Sequence, residues 1–359
     1  GGGSVGGGQG GGSAGGGQGG GAVAGGHWSV IRHSLGEPPK FLRAVFATNR
    51  SEMRAVGDDG VVRRFTGSQV LTEAFNGTGG YTGVWASAVN NTRIIRSGDP
   101  VLRLTSSGAT GETLPNVTAQ NQNGIFGFNS ADIWVVGGNS QSARLWHWNG
   151  QTWSSAASPV QKEAQGIHGR ASNDVYATMQ LSSVVHYDGS AWTLLPAPPG
   201  AVTSAIWQRG VNDLWVGGQG GTLHHFDGST WTTVTLGPWG ELASGIFTGI
   251  WGSGPDNAWA VGTYGKLAHF DGTSWSFVPS PTGEFLFAIH GTAADDIWAV
   301  GGNDTILHFA PGNEGDLCTS GNDGSCKQGL HCCYPCGTVG CLDRCTTFSA
   351  GQTACTAFP

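Results

Sequence analysis

At 359 residues the chain can bury a sizeable core, and its charged fraction of 11%, against a usual figure of about 25%, excludes a protein built on long charged helices. The 64 glycines and 15 tryptophans suit an all-β protein instead. A net charge of −7 with no basic block excludes a nucleic-acid partner, and no apolar run approaches the roughly 18 residues that a membrane-spanning helix needs.

Residues 1–24 are nearly all glycine and repeat every nine residues, with Ser4 matched by Ser13 and Gln9 by Gln18. One reading is a flexible linker. The other uses the period: nine is a multiple of three, so in a polyproline-II-type helix the serines fall on one edge and the glutamines on another. Such helices could bundle and carry self-assembly. The chain begins with Gly1, and a removed secretory or lipoprotein signal is the expectation.

A repeat occupies residues 25–310. Taking Trp259 as the anchor, the column reads Trp134, Tyr176, Trp215, Trp259 and Trp298, with weaker copies at Met53 and Ile94. Upstream stands a second column of Phe46, Trp85, Phe126, His168, Trp207, Trp251 and His290. Each is preceded by Val or Ile, and before that by Gly or Ala. Small, β-branched, aromatic is the pattern of an innermost strand packed on both faces at a crowded axis. Two residues before each anchor stands a short polar turn former: Ser51, Thr92, Asp132, Asp174, Asp213, Asn257 or Asp296. An apolar strand ending in His and an aromatic follows, then an Asp-Gly or Asn-Gly turn. A last strand opens at Trp153, Trp192, Trp231 or Trp275. Four short strands per repeat make one propeller blade. The seventh repeat ends at Pro311 without its fourth strand, and the orphan Gly26-His27-Trp28-Ser29 near the N-terminus matches the opening of that strand elsewhere. The predicted architecture is therefore all-β: a seven-bladed β-propeller whose N-terminal strand closes the last blade, followed by a small disulfide-rich module.

The line Trp251-Gly-Ser-Gly-Pro-Asp-Asn-Ala-Trp259-Ala-Val-Gly resembles the repeats of exported myxobacterial propeller proteins, loosely related to BNR and photosystem-assembly-factor-like propellers. The resemblance covers residues 27–310 and implies a fold, not a reaction. The string Cys332-Cys333-Tyr-Pro-Cys336-Gly-Thr-Val-Gly-Cys341 is similar to tails of myxobacterial surface lipoproteins.

Candidate chemistry is sparse. Sialidase repeats read Ser-x-Asp-x-Gly-x-Thr-Trp, whereas Asp227-Gly-Ser-Thr-Trp231 is shorter and lacks the serine, and no arginine triad stands out. His147, His186, His225, His269 and His308 share one repeated position, which points to a structural role. His168 and His290 fall in the inner-strand column three blades apart, as core residues or as two groups facing across a channel. No constellation calls for a cofactor or metal. Trp146 and Trp239 fit no repeat column; Trp239 sits in the longest connection between blades. Both are candidate ligand-binding aromatics, the alternative being cover for a blade edge.

The function expected on this basis is a non-enzymatic secreted or cell-surface protein that binds or displays a partner, a glycan or a surface protein. The alternatives are a structural subunit of an extracellular filament or coat, assembled through residues 1–24, and a hydrolase of unknown type. Residues 311–359 hold all eight cysteines: Cys318, Cys326, Cys332, Cys333, Cys336, Cys341, Cys345 and Cys355. An even count at tight spacing in an exported chain predicts four disulfides, since zinc would need reduced thiolates. The intact mass should rise by eight hydrogens on reduction, and native protein should bind no zinc and take up no alkylating agent.

Overall fold

The computed structural model describes residues 26–31, 38–73, 79–98, 100–117, 120–236 and 245–311, and the strands His331–Cys333 and Arg344–Thr346. Among these residues seven four-stranded antiparallel sheets follow one another, six of them running from an innermost strand outward in chain order and the last taking its outermost strand from the start of the chain. The first blade comprises Leu42–Asn49, Glu52–Gly57, Val62–Phe65 and Val70–Thr72. The innermost strands of successive blades touch in a closed ring, from Leu42–Asn49 around to Leu286–Ala293 and back. Space at this axis is tight. A Cβ on Gly166 would lie 2.0 Å from the Ser204 carbonyl of the next blade.

The ring closes with the first strand of the chain. His27–Val30 pairs antiparallel with Ile306–Ala310, setting Trp28 opposite Phe309. This is the register in which Trp275 stands opposite Phe270 one blade earlier. The Trp28 ring lies 5.2 Å from Trp259 and 5.4 Å from Phe309. A second tie crosses the same seam. Arg63, fully buried, grips Asp304 of the last blade with Nε and Nη2 at 3.0 and 2.9 Å. Such a fork fits a carboxylate in two places at once.

The repeated histidines and anchors form one unit. His147, His186, His225, His269 and His308 each stand opposite the anchor of their blade, with ring centroids 4.2, 4.2, 4.5, 4.7 and 3.8 Å apart. Each reaches the polar residue two before that anchor, Asp132, Asp174, Asp213, Asn257 or Asp296, at 2.7–2.8 Å. The aromatic fills the core, and the His–Asp bond ties the third strand to the turn before the second.

The first two blades correct the sequence reading. Phe46 and Trp85 stand opposite Arg54 and Arg93, so those arginines occupy the anchor position, not Met53 and Ile94. The residues two before them are Glu52 and Asn91 rather than Ser51 and Thr92. The histidine position is taken by Arg64, 2.5 Å from Glu52, and by Arg103, 3.2 Å from Asn91. The hydrogen bond from an acid or amide to an imidazole or guanidinium nitrogen is thus kept in all seven blades while the stacked aromatic is not. Burial of Arg54 and Arg93 is sustained by Glu73, at 2.8 Å, and by Glu112 in two bonds of 2.8 and 3.0 Å. Without Glu112, Arg93 would be an uncompensated buried charge; Arg54 would keep only Glu52, at 3.5 Å.

Cys332, Cys333 and Cys345 fall on a two-stranded ribbon in which Cys332 is opposite Cys345; the other five cysteines, and residues 1–24, lie outside the described residues.

Neighbouring blades are matched in size. Trp85, Trp207 and Trp251 each cover a glycine of the following blade, where a Cβ would approach the indole to 2.7, 2.3 and 2.7 Å on Gly127, Gly252 and Gly291. Where the inner-strand residue is histidine, the following blade carries Ala47 or Gln208 instead, and its backbone N–H donates to the imidazole Nδ1 at 3.2 Å. Gly252→Ala should therefore cost about 1–3 kcal/mol, the usual penalty of overpacking. Combining it with Trp207→His should be milder than the sum of the two single changes, by about 1 kcal/mol in a denaturation double-mutant cycle. Strict additivity would show that the pairing is coincidental.

Candidate functional site

A cavity of about 310 Å³ runs along the axis, walled by all seven innermost strands. Where those strands begin it opens into a mouth of about 420 Å³. The residue three before the inner-strand aromatic position guards this mouth: Arg43, Thr82, Asn123, Gln165, Ser204, Thr248 and Phe287.

Part of this ring has a structural duty. An innermost strand has no sheet partner on its axial edge, so its carbonyls need other donors. The Thr82 hydroxyl donates to the Gln122 carbonyl of the next blade at 2.5 Å, the Asn123 amide to Ala164 at 2.8 Å, and the Thr248 hydroxyl to Leu286 at 2.7 Å. In the fifth blade a bulge between Val202 and Ile206 hands the role to Thr203, which reaches Phe247 at 2.7 Å.

Three junctions depart from the pattern, and they shape the site. Phe287 and Phe41 meet edge to face with centroids 6.1 Å apart. The Arg43 guanidinium lies 4.6 Å from the Phe287 ring and 5.2 Å from Phe41, and donates two bonds of 2.9 and 2.8 Å to Asp58. Phe41 is 49% exposed and Phe285, edge-on to Tyr264 at 5.1 Å, is 40% exposed. This side is an aromatic ledge. From the opposite blades Gln165 enters the mouth with no side-chain partner among the described residues. Beside it the Glu163 carboxylate, 8% exposed, accepts from Asn121 at 2.6 Å, Asn123 at 2.9 Å and Gln180 at 2.5 Å.

Trp146, expected as a ligand-binding aromatic, has no exposed surface, and its indole N–H donates to the Pro115 carbonyl at 2.8 Å. It packs between the second and third blades and is withdrawn from any ligand. Trp239 lies outside the described residues. Arg43, Gln165 and Phe287 were missed because none carries a recognised motif. Their signal was a break in a column otherwise made of Thr, Asn and Ser.

Groups with catalytic reputations are committed elsewhere. Asp227 Oδ1 accepts the backbone N–H of Thr230 and Ser229, at 2.8 and 2.9 Å, and Asp271 Oδ1 accepts the Thr273 hydroxyl at 2.7 Å and the backbone N–H of Ser274 and Thr273; these bonds push both carboxyls well below their usual range. Among the described residues no three His, Cys, Asp or Glu side chains converge as metal ligands. His168 and His290 line the channel, but each spends Nδ1 on the next blade's amide, which puts the neutral ring's proton on Nε2.

No protein-family model matches the chain, and no curated protein matches it. Among solved structures it is similar to YCF48 bound to D1 peptide, at 13% identity over 79% of this chain and 96% of that one with a TM-score of 0.64. YCF48 from Cyanidioschyzon merolae matches at 15% identity over 79% and 98%, with a TM-score of 0.62. Virginiamycin B lyase from Staphylococcus aureus matches at 14% identity over 79% and 99%, with a TM-score of 0.66. These likenesses show the propeller fold. The resemblance to assembly-factor-like propellers read from the repeats holds at that level.

The channel histidines predict an acid sensitivity. Burial, reinforced by Arg170, lowers His168 to about 4; burial, reinforced by His168 itself, lowers His290 to about 3. Unfolded imidazoles titrate near 6.5, so below that pH the unfolded chain binds protons that the folded chain refuses, and stability falls as pH drops toward 4. Urea midpoints measured from pH 7 to 4.5 should fall. The fall should be shallower in His290→Asn, whose side-chain oxygen can still accept the Ala47 N–H. An unchanged slope would assign the acid sensitivity to other groups.

Proposed function

We propose that this protein is a non-enzymatic binding module of the cell surface or the extracellular space, and that it takes a carbohydrate at the channel mouth. One observation carries the reading. The three positions that abandon the repeated blade-to-blade bond, Arg43, Gln165 and Phe287, converge on one opening. Departure from a repeat without a packing reason is where function is expected. The mouth joins an aromatic ledge to a wall of amides and a carboxylate. A sugar presents the matching surfaces, an apolar C–H face and a rim of hydroxyls. The carboxylates of the mouth are held by Arg43 or by amide groups, an arrangement suited to binding rather than proton transfer.

A peptide ligand is the second reading. YCF48, whose fold this chain shares, has been seen bound to D1 peptide.

A glycan array with the intact chain tests the first reading, with a peptide library beside it. Phe287→Ala and Gln165→Ala should each weaken the selected ligand at least roughly tenfold, or about 1.4 kcal/mol. Gln165→Ala should not shift the melting temperature by more than a degree or two, because that side chain ties no blade to the next; Phe287→Ala should lower it modestly by removing the contacts with Phe41 and Arg43, but leave the chain folded. Full affinity in both variants would place the ligand site elsewhere.

A further inference from the structure

We infer that the mouth selects a ligand bearing a primary ammonium group, an amino sugar in preference to a neutral or acidic one, and that Glu163 is the residue that reads it. The inference rests on the mouth being the ligand site. The charged residues lining it, among the described residues, are Arg43, Asp58 and Glu163. Arg43 and Asp58 neutralise each other through two bonds of 2.9 and 2.8 Å. Glu163 is left with neutral donors alone, the amides of Asn121, Asn123 and Gln180. These amides fix the carboxylate in place and satisfy its lone pairs, but they do not cancel its charge.

A charge held in a concave, poorly solvated wall projects further than one in open water. The mouth therefore presents one net negative charge to whatever enters. Gln165, with its amide uncommitted, stands on the same wall and can accept a further N–H or donate to a ring oxygen. Across the opening, Phe287 and Phe41 offer the stacking face. A ligand lying with its ring on the ledge turns its substituents toward Glu163. An ammonium there meets the missing counter-charge. A carboxylate there meets like charge with no free cation to offset it, since Arg43 is already engaged; such unpaired charges are how sites reject wrong partners.

The test is calorimetry on the full chain with three probes at low salt: a short chitosan oligomer, the corresponding chitin oligomer and a short oligogalacturonate. The chitosan oligomer should bind at least roughly tenfold more tightly than the chitin oligomer, and the galacturonate should bind least. The gap should narrow as salt is raised, because the discriminating force is Coulombic. Glu163→Gln should abolish the gap between the chitosan and chitin oligomers. Should that variant misfold, the salt dependence on the unaltered chain still decides. Equal affinities, or preference for the acidic oligomer, would overturn the inference while leaving carbohydrate binding intact. If no sugar binds but a lysine-containing peptide does, with the same loss in Glu163→Gln, the carbohydrate reading fails and the ammonium preference stands.

Discussion

The seven innermost strands meet at the axis with one backbone edge turned away from any sheet partner, and the rest of the ring is arranged around that fact. An unpaired buried carbonyl or amide is expensive, and a propeller cannot add another strand inside. This chain meets the demand by lending side chains from one blade to the backbone of the next. Thr82, Asn123, Thr203 and Thr248 serve carbonyls at the mouth, and His168 and His290 serve amides deeper in the channel. In the same layer as the histidines, large indoles sit on glycines. Blades of one repeat are thus not interchangeable, because each is fitted to its neighbour.

The periodic part of this design was legible in the sequence. The Gly-or-Ala, β-branched, aromatic columns and the displaced strand around Trp28 reflect packing rules that act within a few residues. Arg54 and Arg93 were not legible. A column sought by hydrophobicity passes over arginine, and it slid one residue back to Met53 and one forward to Ile94. What makes those arginines suitable core residues are Glu73 and Glu112, which lie 19 residues further on and reach them only across the sheet. Trp146 misled for a related reason. On a third strand, wedged between blades, both faces are interior, so an aromatic off the column is buried as deeply as one on it.

Residue type was a poor guide to the site. Histidines, aspartates and tryptophans attract attention in any search for chemistry, yet here they are the scaffold. Five histidines stack on anchors, the aspartates hold turns, and the tryptophans are anchors or covers for glycines. Against so regular a background the informative residues are ordinary ones in the wrong place: an arginine, a glutamine and a phenylalanine where threonine or asparagine is the habit.

Those three positions were free to change because other bonds hold their junctions. Between the last and first blades, where Phe287 makes ring contacts but no hydrogen bond, the closing strand and the Arg63–Asp304 fork tie the seam. Between the first and second, where Arg43 turns instead to Asp58, Arg54 reaches across to the Val89 carbonyl and the Thr92 hydroxyl at 3.0 and 3.2 Å. Between the fourth and fifth, where Gln165 stands free, the Gln208 amide donates to Asp174 at 2.5 Å and Arg170 to the Arg209 carbonyl at 3.2 Å. Each junction that gives up its bond at the mouth carries a substitute away from it. The bonds that hold these three seams thus lie away from the mouth, and the mouth can diverge without opening the ring.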